Sequence, residues 1–179
     1  HLSALTARGR AYGIRNAAAM LVRTSDMRVC ALAGSAGFHD ASIDGQVDGS
    51  RARRSPGSTL KPLTAVAALE EGVTTTTERI KDTGKWYYPG YPQSYTYCWN
   101  RSGHGWMDVT SAITNSCNYY FATMGYRLGM DTLREYLSAF GLGESTGIEI
   151  GDRAGTLPEN APGQDLAPWA AYGQANQLY

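Results

Sequence analysis

Ser58 and Lys61 stand three positions apart, and where a helix begins that spacing stacks a hydroxyl and an amine one turn apart on the same face. A serine is a poor nucleophile at its free pKa and needs an adjacent base. A lysine supplies one when burial and neighbouring cations bring its pKa toward neutrality. The N–H groups of the first helical turn offer a place for a developing oxyanion. The chemistry implied is acyl transfer through a serine ester, although Ser58-Thr59-Leu60-Lys61 alone also fits a helix cap followed by a surface lysine. A second set of reactive types, Cys98, His104 and Cys117 with Asp82 upstream, consists of zinc ligands. A metal held by those four would restrain the chain around them. The same cysteines also fit a Cys98–Cys117 disulfide or two buried thiols.

The elements that must position these groups can be read from period and punctuation. Leu60, Leu63, Ala67 and Leu69 share a broad helical face over Ser58 to Glu71, with Pro62 tolerated in the first turn and Gly72 placed for a C-terminal cap. Asp108 to Asn115 reads as a short helix and Asn118 to Leu128 as another. A third is capped by Asp131 and carries Leu133, Tyr136, Leu137 and Phe140 at helical spacing. Ser116 and Asn118 therefore fall where an N-cap pair belongs. Ala17 to Val22 and Arg28 to Ala33 read as an antiparallel hairpin around Thr24-Ser25-Asp26, with Cys30 in its second strand as a core residue. The glycine-rich stretch from Gly34 to Gly57, with Arg51, Arg53 and Arg54, reads as a solvated loop. Between Lys81 and Gly105, glycines, prolines and many aromatics predict a long irregular excursion with a small packing cluster of its own. Beyond Gly151 the prolines predict loop.

Composition narrows the function classes. The 179 residues are enough for one sizeable core, and a single domain spanning residues 1–179 is expected. Sixteen basic residues balance 16 acidic ones, so no global field draws the chain to nucleic acid or an anionic membrane. No apolar run approaches a bilayer span, and because His1 is not a natural start, a signal or anchor is expected upstream. Three cysteines cannot form a fully paired disulfide framework.

Arg54-Ser55-Pro56-Gly57-Ser58-Thr59-Leu60-Lys61-Pro62 resembles the nucleophile motif of penicillin-binding proteins, and Ser116-Cys117-Asn118 follows in the order of that family's Ser-x-Asn element. Gly103-His104-Gly105, the Gly141 to Gly151 segment with Thr146-Gly147-Ile148, and Tyr172-Gly173-Gln174 resemble class B transpeptidases of the elongation and sporulation types. The resemblance covers nearly the whole chain. It implies an α+β fold, helices packed on an antiparallel sheet, with the serine at a helix start in the cleft between them. Ser58 would then be the acylated nucleophile, Lys61 its general base, Ser116 a proton relay and Asn118 a hydrogen-bonding partner of the substrate backbone. The implied reaction acylates Ser58 with a peptidoglycan stem peptide ending in D-Ala-D-Ala and passes the acyl group to a neighbouring amine; penicillins and other β-lactams would acylate the same serine. No organic cofactor is implied.

In some members of this group similarly placed residues hold a structural zinc, the middle residue of Ser-x-Asn among them. Cys117 occupies that position, with Asp82, Cys98 and His104 as its companions. The site is expected outside the cytoplasm, with a glycosyltransferase among the family's partners. The family's later Lys-Thr-Gly element is expected beyond Gly173-Gln174; Lys81-Asp82-Thr83-Gly84 precedes the second motif and carries an inserted aspartate, so it is not that element. The C-terminal remainder of the domain is therefore an expected partner, without which these residues alone should be inactive. A D,D-carboxypeptidase or serine β-lactamase, which passes the acyl group to water, and a non-catalytic penicillin-recognising sensor or scaffold are the alternatives.

Overall fold

In a computed structural model of the chain, residues 1–148 and 151–177 are described; Glu149 and Ile150, within the Gly141 to Gly151 segment, lie outside the described residues. The chain divides into two compact units. One comprises His1–Arg53 with Ser145–Arg153, the other Arg54–Glu144 with Ala154–Tyr179. The first holds helix α1 (Leu2–Gly9) and the antiparallel pair β1 (Ala19–Val22) and β2 (Val29–Ala33), in register from Ala19 opposite Ala33. The hairpin is as the sequence predicts, but Cys30 is exposed, not core. Met20 with Leu21 on one strand and Cys30 with Ala31 on the other are consecutive exposed residues, so both faces of the pair are open, which apolar residue type alone does not announce.

The second unit carries the candidate site. A short 3-10 turn, Gly57–Leu60, leads into α2 (Lys61–Glu70), so the helix starts with a tighter turn than the sequence suggests and Ser58 sits in that turn. The expected excursion is instead largely ordered. β3 (Ile80–Asp82) pairs with β6 (Gly105–Met107), and β4 (Lys85–Tyr88) forms a hairpin with β5 (Tyr91–Tyr97). Trp86 is buried, whereas Tyr87, Tyr95 and Tyr97 stay exposed, so only part of the aromatic set packs inward.

α3 (Val109–Thr114) is capped by Asp108 and Ser111 in a reciprocal pair of side chain to backbone bonds. α4 (Asn118–Leu128) is the centre of the unit, packed against α2, α5 (Met130–Ala139) and α6 (Ala167–Ala170). Gly125 lets α4 and α6 touch, because a Cβ there would strike the Ala167 backbone. Asp131 lies in the first turn of α5 but does not cap it; the N-cap is Gly129, two residues before the aspartate. Leu133 and Leu137 are fully buried while Phe140, the last of that apolar series, is exposed. Helices and antiparallel sheets together make the fold α+β.

Candidate active site

The turn that carries Ser58 is held against the Gly173 carbonyl by one backbone and one side-chain hydrogen bond. Gly57 has φ +55, its N–H donates to Gly173 O at 3.2 Å, and Ser55 Oγ donates to the same carbonyl at 2.5 Å. Ser58 is exposed and lines a cleft of about 340 Å3 with Thr96, Asn118, Trp169, Tyr172 and Gln174. Thr96, on β5, and the Tyr172 hydroxyl are 2.7 Å apart, which ties the strand to the segment behind the serine. The sequence reading does not single out Thr96 or Trp169. The signal that could have found Thr96 is the alternation Ser94, Tyr95, Thr96, Tyr97, small inward and aromatic outward.

Lys61 is almost fully buried. Its Nζ donates to Ser116 O at 2.7 Å, Ser116 Oγ at 3.0 Å and Asn118 Oδ1 at 2.7 Å. An ammonium has three protons, and these acceptors use all of them. Burial favours the neutral amine and draws its pKa down to about 8, against the opposing pull of Cys117 and Cys98. No hydrogen bond joins Lys61 to Ser58 among the described residues, contrary to the direct contact expected from their spacing. The flexible lysine chain turns to the corner with three acceptors in preference to a single hydroxyl. Once neutral, Nζ keeps two donors and gains a lone pair that can face the cleft.

That corner is a tight turn between α3 and α4. Ser116 has φ +49, a left-handed conformation that costs a non-glycine residue about 1–2 kcal/mol. Cys117 is the N-cap of α4, its sulfur accepting from the Tyr120 N–H at 3.4 Å, so neither Ser116 nor Asn118 has the capping role. The three residues split. Ser116 and Asn118 grip Lys61, Asn118 Nδ2 also donating to Tyr97 O at 3.3 Å, while the Cys117 side chain is buried on the other side.

There Asp82, Cys98, His104 and Cys117 each offer one ligand atom, all within 4.8 Å of one another. Tetrahedral zinc would set sulfur–sulfur distances of about 3.8 Å and sulfur–nitrogen or sulfur–oxygen distances of about 3.5 Å. The two sulfurs are 3.9 Å apart, Cys98 Sγ is 3.4 Å from His104 Nδ1, and Cys117 Sγ is 3.3 Å from Asp82 Oδ2. His104 Nδ1 and Asp82 Oδ2, at 2.7 Å, are closer than the roughly 3.3 Å an ion would impose, by about 0.6 Å. The residues fit the metal. His104 Nε2 is buried with no hydrogen-bond partner, which leaves Nδ1 as the nitrogen serving the cluster. The hydrogen bond from Cys117 lowers the Cys98 thiol to about 6, while the same contact and burial push Cys117 up. Burial works to raise Asp82, but hydrogen bonds from the Gly84 N–H, His104 and the thiols hold it below the ordinary carboxylate range.

Residues 17–175 match the family model described as the penicillin binding protein transpeptidase domain. The chain belongs to the penicillin-binding protein transpeptidase family. Among the family's curated members, it is 38% identical over 104 residues to the peptidoglycan D,D-transpeptidase MrdA of Escherichia coli strain K12, an alignment covering 58% of this chain and 16% of that protein. It is 38% identical over 122 residues to stage V sporulation protein D of Bacillus subtilis strain 168, covering 66% of this chain and 18% of that protein. Among solved transpeptidase structures, penicillin-binding protein A from M. tuberculosis, described as an imipenem acyl-enzyme complex, superposes with a TM-score of 0.65 at 26% identity, covering 79% of this chain and 33% of the other. The chain thus spans about a sixth of the length of the curated transpeptidases it matches. Both the resemblance read from the motifs and the α+β fold of this family are borne out.

Proposed function

We propose that the protein is a serine acyltransferase of the cell wall, a D,D-transpeptidase that cross-links peptidoglycan stem peptides and is acylated by penicillins. The observation that carries this reading is the clasp of Lys61 by Ser116 and Asn118 at the edge of the cleft that Ser58 lines.

The first half-reaction begins when Lys61 gives up its proton, freeing a lone pair. Ser58 Oγ attacks the carbonyl carbon of the penultimate D-alanine and its proton passes to Lys61 Nζ. The tetrahedral adduct collapses, the carbon–nitrogen bond to the last D-alanine breaks, and the departing nitrogen takes a proton from Lys61 through the Ser116 hydroxyl, which already accepts from Nζ at 3.0 Å. In the second half an amine of a neighbouring stem peptide attacks the Ser58 ester, gives its proton back by the same route, and Ser58 regains its hydrogen. Asn118 holds the lysine and, when its amide releases Tyr97, offers a donor to the substrate backbone.

Asp82, Cys98, His104 and Cys117 would hold a structural zinc on the far side of the Ser116–Asn118 corner. Bound there, the metal supplies rigidity and takes no part in acyl transfer: it would fix Cys117 and therefore the angle at which its two neighbours meet Lys61. The compartment is extracytoplasmic, where the stem peptides are, with a membrane anchor elsewhere in the protein and a glycosyltransferase as working partner. Among the described residues no helix is long and apolar enough to cross a membrane.

Incubation of the native protein with fluorescent penicillin, followed by peptide mapping, tests the reading. Label on Ser58 supports it; absence of label would leave a non-catalytic scaffold. Slow release of the trapped label favours the transpeptidase, whereas rapid turnover of the penicillin marks a β-lactamase.

A further inference from the structure

The face of β5 that meets the catalytic cleft continues past it. Side chains two apart on a strand share a face about 7 Å from one another, so Ser94 lies beside Thr96 on the inward side of the hairpin. Ser94 does not reach the cleft; it lines a second cavity of about 380 Å3 with Tyr88, Tyr91, Gln93, Gln164 and Asp165. A row of aromatic rings connects the two. Trp169, at the catalytic cleft, packs edge-on against Trp86 with centroids 6.2 Å apart, and Trp86 meets Tyr88 at 6.0 Å.

The chemistry of this second cavity is of one kind. Tyr88 is fixed, its hydroxyl donating to Asp165 Oδ2 at 3.0 Å and its ring set edge-on against Tyr91 at 5.8 Å and Tyr126 at 5.2 Å. Asp165, the one charged lining residue among those described, already accepts from Tyr88 and, through Oδ1, from the Ala167 N–H at 3.0 Å. The side chains of Gln93, Ser94 and Gln164 make no hydrogen bond among the described residues, so two amides and a hydroxyl keep both donors and acceptors for a ligand. Tyr91, 57% exposed, adds an accessible ring. An aromatic wall beside uncharged donors and acceptors suits a pyranose, whose C–H face lies on rings and whose hydroxyls pair with amides. The carboxylate disfavours anions. Among the described residues no free cation lines the cavity to attract an acidic peptide.

We propose that this cavity is a saccharide subsite, taking one N-acetylated sugar ring of the glycan strand whose stem peptide enters the Ser58 cleft. The identity of that strand rests on the acyl-transfer reading above; the affinity for a neutral sugar does not. The subsite would hold the polymer while the peptide is processed next to it, so that release of one product does not free the strand.

The test uses the native full-length protein, with Ser58 first blocked by penicillin, titrated calorimetrically with the neutral disaccharide of two N-acetylglucosamines. Binding in the millimolar range or tighter is expected, with Tyr91→Ala and Gln164→Ala each weakening it at least tenfold. Gln164→Ala guards against misfolding, since that side chain is exposed. Penicillin carries no sugar, so both variants should still be labelled at the native rate. Absence of disaccharide binding, binding by both variants as tight as by the native protein, or displacement of the disaccharide by a sugar-free stem peptide would overturn the proposal. Failure of the acyl-transfer reading shows itself separately, as an unlabelled Ser58, and the titration can then be run on unblocked protein.

Discussion

Replacing Gly173 with alanine should disable Ser58 without touching any reacting group. Gly173 has φ +74, and a Cβ built on it lies 2.7 Å from the carbonyl carbon of Gly57 and closer still to that residue's nitrogen and oxygen. Carbon atoms in contact sit about 3.5 Å apart, so one of the two backbones must retreat by about 0.8 Å. Ser58 follows Gly57 directly and moves with it. Displacement of a reacting group by roughly 1 Å costs about 100-fold in rate, equivalent to about 2.7 kcal/mol of barrier. The left-handed backbone adds about 1–2 kcal/mol of lost stability. Gly72 separates the two effects, because it has φ +65 but nothing within 4 Å of its missing Cβ. Gly72→Ala should lower Tm by about 2–8 °C through strain alone and leave acylation at the native rate. The assay is the second-order rate constant for acylation by fluorescent penicillin, with Tm taken by calorimetry on the same preparations. Equal acylation rates for Gly173→Ala and Gly72→Ala would refute the argument that the glycine contact positions the nucleophile.

Three further outcomes are expected. The acylation rate should climb tenfold per pH unit below about 8 and level off above it, since burial favours the neutral amine and only that form of Lys61 can accept the Ser58 proton; Lys61→Arg, which cannot lose its proton, should cut acylation by about 10²–10⁴ and abolish that profile. Ser116→Gly should hold or raise Tm, because the left-handed strain at φ +49 is relieved, while acylation falls by about 10²–10³ for want of the relay; a drop in Tm would show that the hydroxyl's bond to Lys61 outweighs the strain. Elemental analysis should find one zinc per chain, and prolonged chelation should lower both Tm and acylation rate; a metal-free protein two hydrogens short in mass would instead establish a Cys98–Cys117 disulfide.

The parts of the site that were legible in the sequence are those encoded by short fixed spacings. The order of Ser116, Cys117 and Asn118 at a helix boundary sends alternate side chains to opposite sides, as observed, whereas the spacing of Ser58 and Lys61 places both where the 3-10 turn runs into α2 without joining amine and hydroxyl in a hydrogen bond among the described residues. Lys61's choice of partners was not legible. A lysine has four rotatable bonds, and whether its amine rests on Ser58 or on Ser116 and Asn118 depends on acceptors brought up from more than 50 residues away. The strands β3 to β6 were hidden for another reason. Three or four residues give too few repeats to establish a period of two, and the prolines and glycines between them imitate loop. β5 is the exception, because Ser94 to Tyr97 does alternate. Helix α6 is four residues long and begins Ala-Pro, so neither length nor period announces it, and α1 is a weakly amphipathic eight. Cys30 and Phe140 show the remaining limit: residue type does not reveal that a strand pair is open on both faces, and where a helical stripe runs past its neighbour its last residue faces water.

Cys117 ties the Ser116–Asn118 corner to sulfur chemistry. A sulfur atom that both starts α4 and sits one peptide unit from each of the groups restraining Lys61 cannot be altered in isolation. On the acyl-transfer reading, a competing soft metal that enters the Asp82, Cys98, His104 and Cys117 cluster and captures that sulfur would skew two adjacent peptide planes and slacken the lysine, stopping acylation from behind while the cleft stays open. Such metals would constitute inhibitors unrelated in shape to a penicillin, and substitutions around Ser58 that blunt β-lactams would leave them effective.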